Sequence, residues 1–180
     1  MRKTCLLLLS LLLTVIAFSQ KRSNPKIGKN ETEISSFIMG DDYLAVGGQF
    51  VYRLHVIKKL KIGAGFLYGA NYKNSLYDHS FYGYGAVFAD ALQSLGQREK
   101  WSFSGQIGHG IYKANHGYDD YADLRAGIYY SISCNYRAIV SKKMLFTTSL
   151  LVGKRNFVYQ SGGPAPGNSG FIGLKFGVVF

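Results

Sequence analysis

The sequence predicts an all-β protein: an eight-stranded antiparallel up-and-down barrel that crosses a membrane, preceded by a signal peptide. Three observations carry that prediction. The last stretch, Gly170 to Phe180, alternates strictly, with Ile172, Leu174, Phe176, Val178 and Phe180 on one face and Phe171, Gly173, Lys175, Gly177 and Val179 on the other. A period of two marks a strand, because successive side chains leave it on opposite sides. The same alternation recurs along the chain, and beyond the first twenty residues no stretch approaches a transmembrane helix. Only helices and closed barrels satisfy every backbone group in lipid, so a membrane protein of this pattern must close its sheet. Finally, 22 Gly, 14 Tyr and only 3 Pro in 180 residues suit strands around a narrow interior with aromatic rims.

Residues 1–19 read as the signal peptide. Arg2 and Lys3 form the positive start, Cys5 to Phe18 the apolar run, and Ala17-Phe18-Ser19 the small-residue site for cleavage ahead of Gln20. The run is shorter than the roughly 20 residues of a comfortable span. Cys5 precedes the apolar run, which argues against a lipoprotein. Loss of Arg2 and Lys3 with the leader lowers the formal charge of +11 by two. In a secreted chain that basic balance points to anionic lipid or lipopolysaccharide and away from nucleic acid. Cys134 alone would remain, which excludes an internal disulfide or a thiolate metal cluster.

Residues 20–30 are a polar, basic periplasmic lead-in, and 31–180 are the barrel. The first strand, Glu31 to Ile38, is the weakest in pattern, with Thr32, Ile34, Ser36 and Ile38 outward and Glu31, Glu33, Ser35 and Phe37 inward. The second sends Leu44, Val46, Gly48, Phe50, Tyr52, Leu54 and Val56 outward and Arg53 and His55 inward. The third sends out Ile62, Ala64, Phe66, Tyr68, Ala70 and Tyr72, with Lys61 inward. The fourth is assigned Tyr82, Tyr84, Ala86 and Phe88 outward and Gly83, Gly85 and Val87 inward. Asp90 then falls on its outer face, at the membrane edge or a bulge, because a carboxylate in mid-bilayer is costly. Trp101, Phe103, Gly105, Ile107 and Ile111 face out on the fifth strand. On the sixth, Leu124, Ala126, Ile128, Tyr130, Ile132, Cys134 and Tyr136 oppose Asp123, Arg125, Ser131, Asn135 and Arg137. Phe146, Thr148, Leu150 and Val152 mark the seventh, and Gly170 to Phe180 the eighth.

Short turns at 57–60, 93–100 and 141–143 fall on one side, and longer loops at 73–79, 114–122 and 157–169 on the other. Bacterial barrels have even strand counts, with short turns in the periplasm and longer loops outside. A chain that starts and ends in the periplasm needs an upward strand before Leu44, and Glu31 to Ile38 is the candidate. Eight strands leave an interior that side chains fill.

The leader, the Gly- and Tyr-rich alternating segments and the aromatic end, FGVVF, resemble the small outer-membrane β-barrel proteins of the OmpA/OmpX type. The resemblance is one of pattern and spans about residues 31 to 180. It implies that the last strand, with Phe176 and Phe180, is read by the barrel-assembly machinery; an appended peptidoglycan-binding domain is not expected.

Inward positions hold Arg53, Lys61, Arg125, Arg137, Arg155 and Lys175, with Asp123 as the clear acid. A narrow interior cannot hold such an excess unpaired. The expected solution is a buried network of Glu31 and Glu33 with two or more of Arg53, Arg125, Arg137 and Lys175; the alternative is an anion-selective conduit. Tyr68, Tyr72, Tyr82 and Tyr84 on the loop side, and Trp101, Phe103, Tyr136, Phe176 and Phe180 on the turn side, suit interfacial belts, although Tyr is also simply a good strand former. The basic turns, Lys58-Lys59-Lys61 and Lys142-Lys143, either meet lipid phosphates or keep the turns solvated.

No set of residues calls for a catalytic centre, a cofactor or a metal. Asp78-His79-Ser80 is the one compact triplet of nucleophile type, but consecutive residues on an extended chain point alternately, which is poor geometry for a triad. His79 and Ser80 are retained only as the site of an alternative, a lipid-modifying outer-membrane enzyme. His109, His116, Asp119 and Asp120 lack a spacing that enforces convergence on a metal. Gly105 to Gly110 lies within a strand pattern and lacks the Lys-Ser/Thr of a phosphate loop. A secreted soluble barrel with a ligand cavity is the second alternative. Its interior would have to hold Phe50, Tyr52, Phe66, Tyr68, Tyr82 and Tyr84, which leaves no cavity. The sequence therefore points to a monomeric, non-enzymatic barrel in contact with outer-membrane lipid, with a structural or surface-interaction role.

Overall fold

The computed structural model describes residues 30–40, 44–57, 59–74, 79–96, 99–114, 124–140, 144–159 and 170–180; of 71–74, 79–82, 111–114, 124–126, 139 and 157–159 the backbone alone is described. Eight strands follow one another: β1 (Asn30–Gly40), β2 (Leu44–Ile57), β3 (Leu60–Asn74), β4 (His79–Leu95), β5 (Trp101–Ala114), β6 (Leu124–Ile139), β7 (Leu145–Tyr159) and β8 (Gly170–Val179). Each pairs with its sequence neighbours, and β1 pairs antiparallel with β8, so the sheet closes into a barrel without an edge.

The first strand is formed, and it closes the sheet. Its register on β8 runs from Glu33 opposite Val179 to Gly40 opposite Ile172. Thr32 and Phe180 extend the seam by exchanging backbone hydrogen bonds of 3.2 and 2.9 Å. The chain therefore enters and leaves the barrel at one end, together with the connections 58–59, 96–100 and 140–144. Two of these connections turn through left-handed backbone, Lys59 at φ 74° and Gly96 at φ 67° followed by Glu99 at φ 48°. The opposite end carries the connections 41–43, 75–78, 115–123 and 160–169, which lie outside the described residues. Strands extend further than the alternation implied: β4 continues to Leu95 where a turn was expected from Gln93.

The outward and inward faces agree with the expected alternation on β1, β3, β5, β6, β7 and β8. Ile34, Phe66, Ile107, Ile132, Leu150 and Ile172 stand exposed on the outside, and Glu33, Lys61, Ser104, Asn135, Ser149 and Lys175 are buried within. On β2 the alternation holds up to Leu54. His55, expected inward, is exposed where a bulge between His55 and Ile57 breaks the register at the turn-side rim.

The fourth strand is the correction. Tyr84, Ala86, Phe88 and Asp90 face inward and are buried, whereas Val87 is half exposed on the outside. A strand's parity is a single choice, because a shift of one residue exchanges its faces. Asp90 decides it here: outward it would face an apolar surface, and inward it meets Arg53. The bulky partners of that choice fit because glycines oppose them. Phe88 is paired with Gly65 on β3 and Gly108 on β5, and a Cβ at Gly65 would lie 2.8 Å from its ring. Tyr84 consequently belongs to the interior and not to an interfacial belt; the side chains of Tyr72 and Tyr82 lie outside those described.

The interior has two storeys. Nearer the loop end, Phe37, Met39, Leu67, Tyr84, Tyr129 and Phe171 form an apolar core. Tyr129 stacks on Phe171 at 6.3 Å between ring centroids and leans on Phe88 at 5.8 Å. The turn-side storey is polar and charged.

Candidate functional site

The charged storey is built from seven described residues on six strands, two of them on β1; Glu31 and Arg53 are direct partners on the β1–β2 hairpin, and closure brings Arg137 and Lys175 to them. Arg53 of β2 is its hub. Nη1 donates to Glu31 Oε1 at 3.2 Å and to Glu33 Oε2 at 2.7 Å, while Nε and Nη2 donate to the two oxygens of Asp90 at 2.5 and 3.3 Å. Glu31 also accepts both terminal nitrogens of Arg137, at 2.6 and 3.1 Å, and the ammonium of Lys61. Glu33 pairs with Lys175 at 2.7 Å across the β1–β8 seam. Every one of these side chains is at most 3% exposed, so these are desolvated ion pairs and not surface ones. In such a place the geometry must be good, because each ion has lost several kcal/mol of hydration, as a rough figure. The forked guanidinium meets that need, supplying parallel donors to a planar carboxylate.

A neutral chain links the two storeys. Asp90 accepts from Gln106 Nε2 at 2.9 Å, and Gln106 Oε1 accepts from Tyr129 at 3.1 Å and Ser131 at 3.2 Å. Beside it, Ser104, Ser133 and Asn135 bond to one another on β5 and β6, with 2.6 Å between the two hydroxyls. The wall of β5 and β6 is thus lined with hydroxyls and amides, while the carboxylates of the ion pairs stand on β1 and β4.

Of the expected network, the structure brings Glu31, Glu33, Arg53, Arg137 and Lys175 together and adds Lys61. Arg155 sits apart in the apolar storey, its guanidinium 5.5 Å from the Tyr84 ring centroid and 5.6 Å from that of Phe171. The side chain of Arg125 and all of Asp123 lie outside the described residues. Asp90 is the member that sequence reading missed. Its signal was present, since Asp90 and Ser94 share a parity and Val87, Ala89 and Ala91 hold the other, but the aromatic Tyr84 and Phe88 argued for the wrong face.

The remaining candidates do not converge. His79 and Ser80 occupy the loop end of β4, opposite Asn74 and Lys73, and their side chains lie outside those described. His109 faces outward, with Nδ1 2.7 Å from its neighbour's carbonyl at Gly110, while His116, Asp119 and Asp120 lie outside the described residues. Among the described residues no group of three metal-ligating side chains comes together.

The outer face carries Ile107 and Ile132 at 63% and 62% exposure in mid-strand. Towards the turn side, exposed Trp101 packs edge-on against Tyr136 at 4.9 Å, with Phe103 on the same face. Phe176 is half-buried on that face beside Ser36, whose hydroxyl is 3.5 Å from the Phe176 carbonyl, and Phe180 is exposed at the rim.

An apolar outside, a charged and side-chain-filled inside and eight antiparallel strands give this chain the fold of the small outer-membrane β-barrels. No protein-family model and no curated protein matches it. Among solved structures it is similar to Neisserial surface protein A, with a TM-score of 0.57 and 11% identity, over 83% of this chain and 94% of that one. At that identity the likeness is one of fold.

Proposed function

We propose that the protein is a non-enzymatic outer-membrane barrel whose role is structural or one of surface interaction through the loop end. The observation that carries this reading is the inversion of faces. Ile107, Ile132, Phe66 and Ile172 are more than half exposed while Arg53, Lys61 and Glu31 are almost wholly buried. Water would reverse that arrangement, since exposed apolar patches of this extent are rare on soluble monomers. Hydrocarbon favours it. Trp101 and Tyr136 on the turn side suit an interfacial anchor, where an aromatic ring meets headgroups. The filled lumen argues for a plug and against a pore, and the fold similarity to a protein named as a surface protein is in keeping with exposure at the cell surface.

In this reading residues 1–19 are removed on export, the barrel-assembly machinery reads the last strand with Phe176 and Phe180, and the mature monomer contacts lipid and lipopolysaccharide. Cell fractionation combined with gel mobility before and after heating tests it. The protein should sediment with the outer membrane, shift in mobility when boiled, and have an N-terminus at Gln20 by mass spectrometry. Recovery in a soluble fraction would overturn the reading. Planar-bilayer recording should find no steady open-pore current, and lipid A acyl chains should be the same with and without Ser80.

A further inference from the structure

We infer that the turn-side mouth of the barrel holds a binding site for a small inorganic anion of chloride size, among Arg137, Lys61, Ser94 and Ser102. The placement comes from register. Ser94 of β4 and Ser102 of β5 are direct partners on adjacent strands, both facing the lumen. Ser102 opposes Asn135 on β6, one inward position from Arg137, whose backbone N–H donates to Lys100 at 2.7 Å beside the start of β5. The backbone N–H of Ser94 donates to Lys59, next to the start of β3 that carries Lys61. Arg137 and Lys61 are held close by sharing one carboxylate, that of Glu31. Two hydroxyls and two cations therefore ring one mouth.

Among the described residues, three polar atoms at that mouth have no hydrogen-bond partner although they are buried: Ser94 Oγ, Ser102 Oγ and Arg137 Nε. Their residues are only 1%, 0% and 3% exposed. Buried polar groups in folded proteins are nearly always bonded, so these three call for a partner. Arg137 Nε can only donate, and the hydroxyls are free to turn their protons to a common acceptor. The local charge has the matching sign. Among the described residues of this storey, the cations Arg53, Lys61, Arg137 and Lys175 face the carboxylates Glu31, Glu33 and Asp90, one fewer. Glu31 is already engaged by three of those cations, and Glu99, on the β4–β5 turn, is half-exposed to solvent. A cation is excluded by the field and the donors. An anion of modest size satisfies all three donors and offsets the surplus charge.

Crystals of the purified protein grown or soaked in bromide, with anomalous data, test the site directly. The expected result is one internal anomalous peak within contact of Ser94, Ser102 and Arg137. Unfolding by urea in detergent, comparing chloride with gluconate at constant ionic strength, gives the second readout. A site occupied at ten times its dissociation constant shifts the folding equilibrium by about elevenfold. That chloride-specific shift should vanish in the double variant Ser94→Ala/Ser102→Ala, which leaves every charge in place. A water peak without anomalous signal, together with equal stability in the two salts, would overturn the proposal.

Discussion

Arg53 offers the sharpest test of how the interior is held together. Replacing it by Met removes four hydrogen bonds to three carboxylates, but the three are not stranded equally. Glu31 keeps Arg137 and Lys61, and Glu33 keeps Lys175. Among the described residues, Asp90 is left with the amide of Gln106 alone. The cost of Arg53→Met is therefore that of one uncompensated buried carboxylate, about 3–5 kcal/mol, or roughly two to three and a half powers of ten in the folding equilibrium. Adding Asp90→Asn should remove that charge, keep the bond to Gln106 and restore most of the loss, because losing both members of a buried ion pair costs far less than losing one. Urea unfolding of the refolded protein, followed by the fluorescence of Trp101, its one tryptophan, reads this cycle. The reasoning fails if Asp90→Asn destabilises the Arg53→Met protein as much as it does the original; Asp90 would then owe nothing to Arg53.

Three further outcomes follow from the faces of the barrel. Ile107→Arg, in mid-strand on the outer face, should cost about 2–4 kcal/mol in liposomes, whereas on a wet surface it would fall within about 0.5 kcal/mol; measured refolding in phosphatidylcholine vesicles decides. Gly108→Ala and Gly105→Ala, three positions apart on β5, should differ sharply. A Cβ at Gly108 would lie 2.6 Å from that of Phe88, while one at Gly105 meets nothing within 4 Å. Thermal midpoints should fall for the first, by an overpacking cost of about 1–3 kcal/mol, and stay level for the second. Cys134, half-buried on the outer face between Phe103 and Leu150, should resist a water-soluble maleimide in membranes and react fully once unfolded in urea. Rapid labelling of the membrane-bound protein would place that face in water.

Much of this protein was legible from alternation alone. On β6, from Tyr130 to Arg137, apolar and polar residues trade places without a break, and the observed faces follow them. The parity of β8, the inward Lys175 and the need for a strand at Glu31 came from the same pattern plus the requirement that a barrel close. These are local or countable properties: a two-residue period sorts side chains by the medium they must meet, and an even strand number brings both ends of the chain to one rim. Strand β4 resisted because Tyr84 and Phe88 are as apolar as any lipid-facing residue, and their own neighbours in sequence do not show what stands opposite. Only tertiary structure set Gly65 and Gly108 against Phe88 and brought Asp90 to Arg53, residues far apart in the chain whose meeting depends on register around the whole barrel. Sequence thus determined which chemistry faces which side on most strands. Arg53 meets Glu31 on one hairpin, but closure decided that Arg137 and Lys175 meet the same strand, because those pairs join strands that no local period relates.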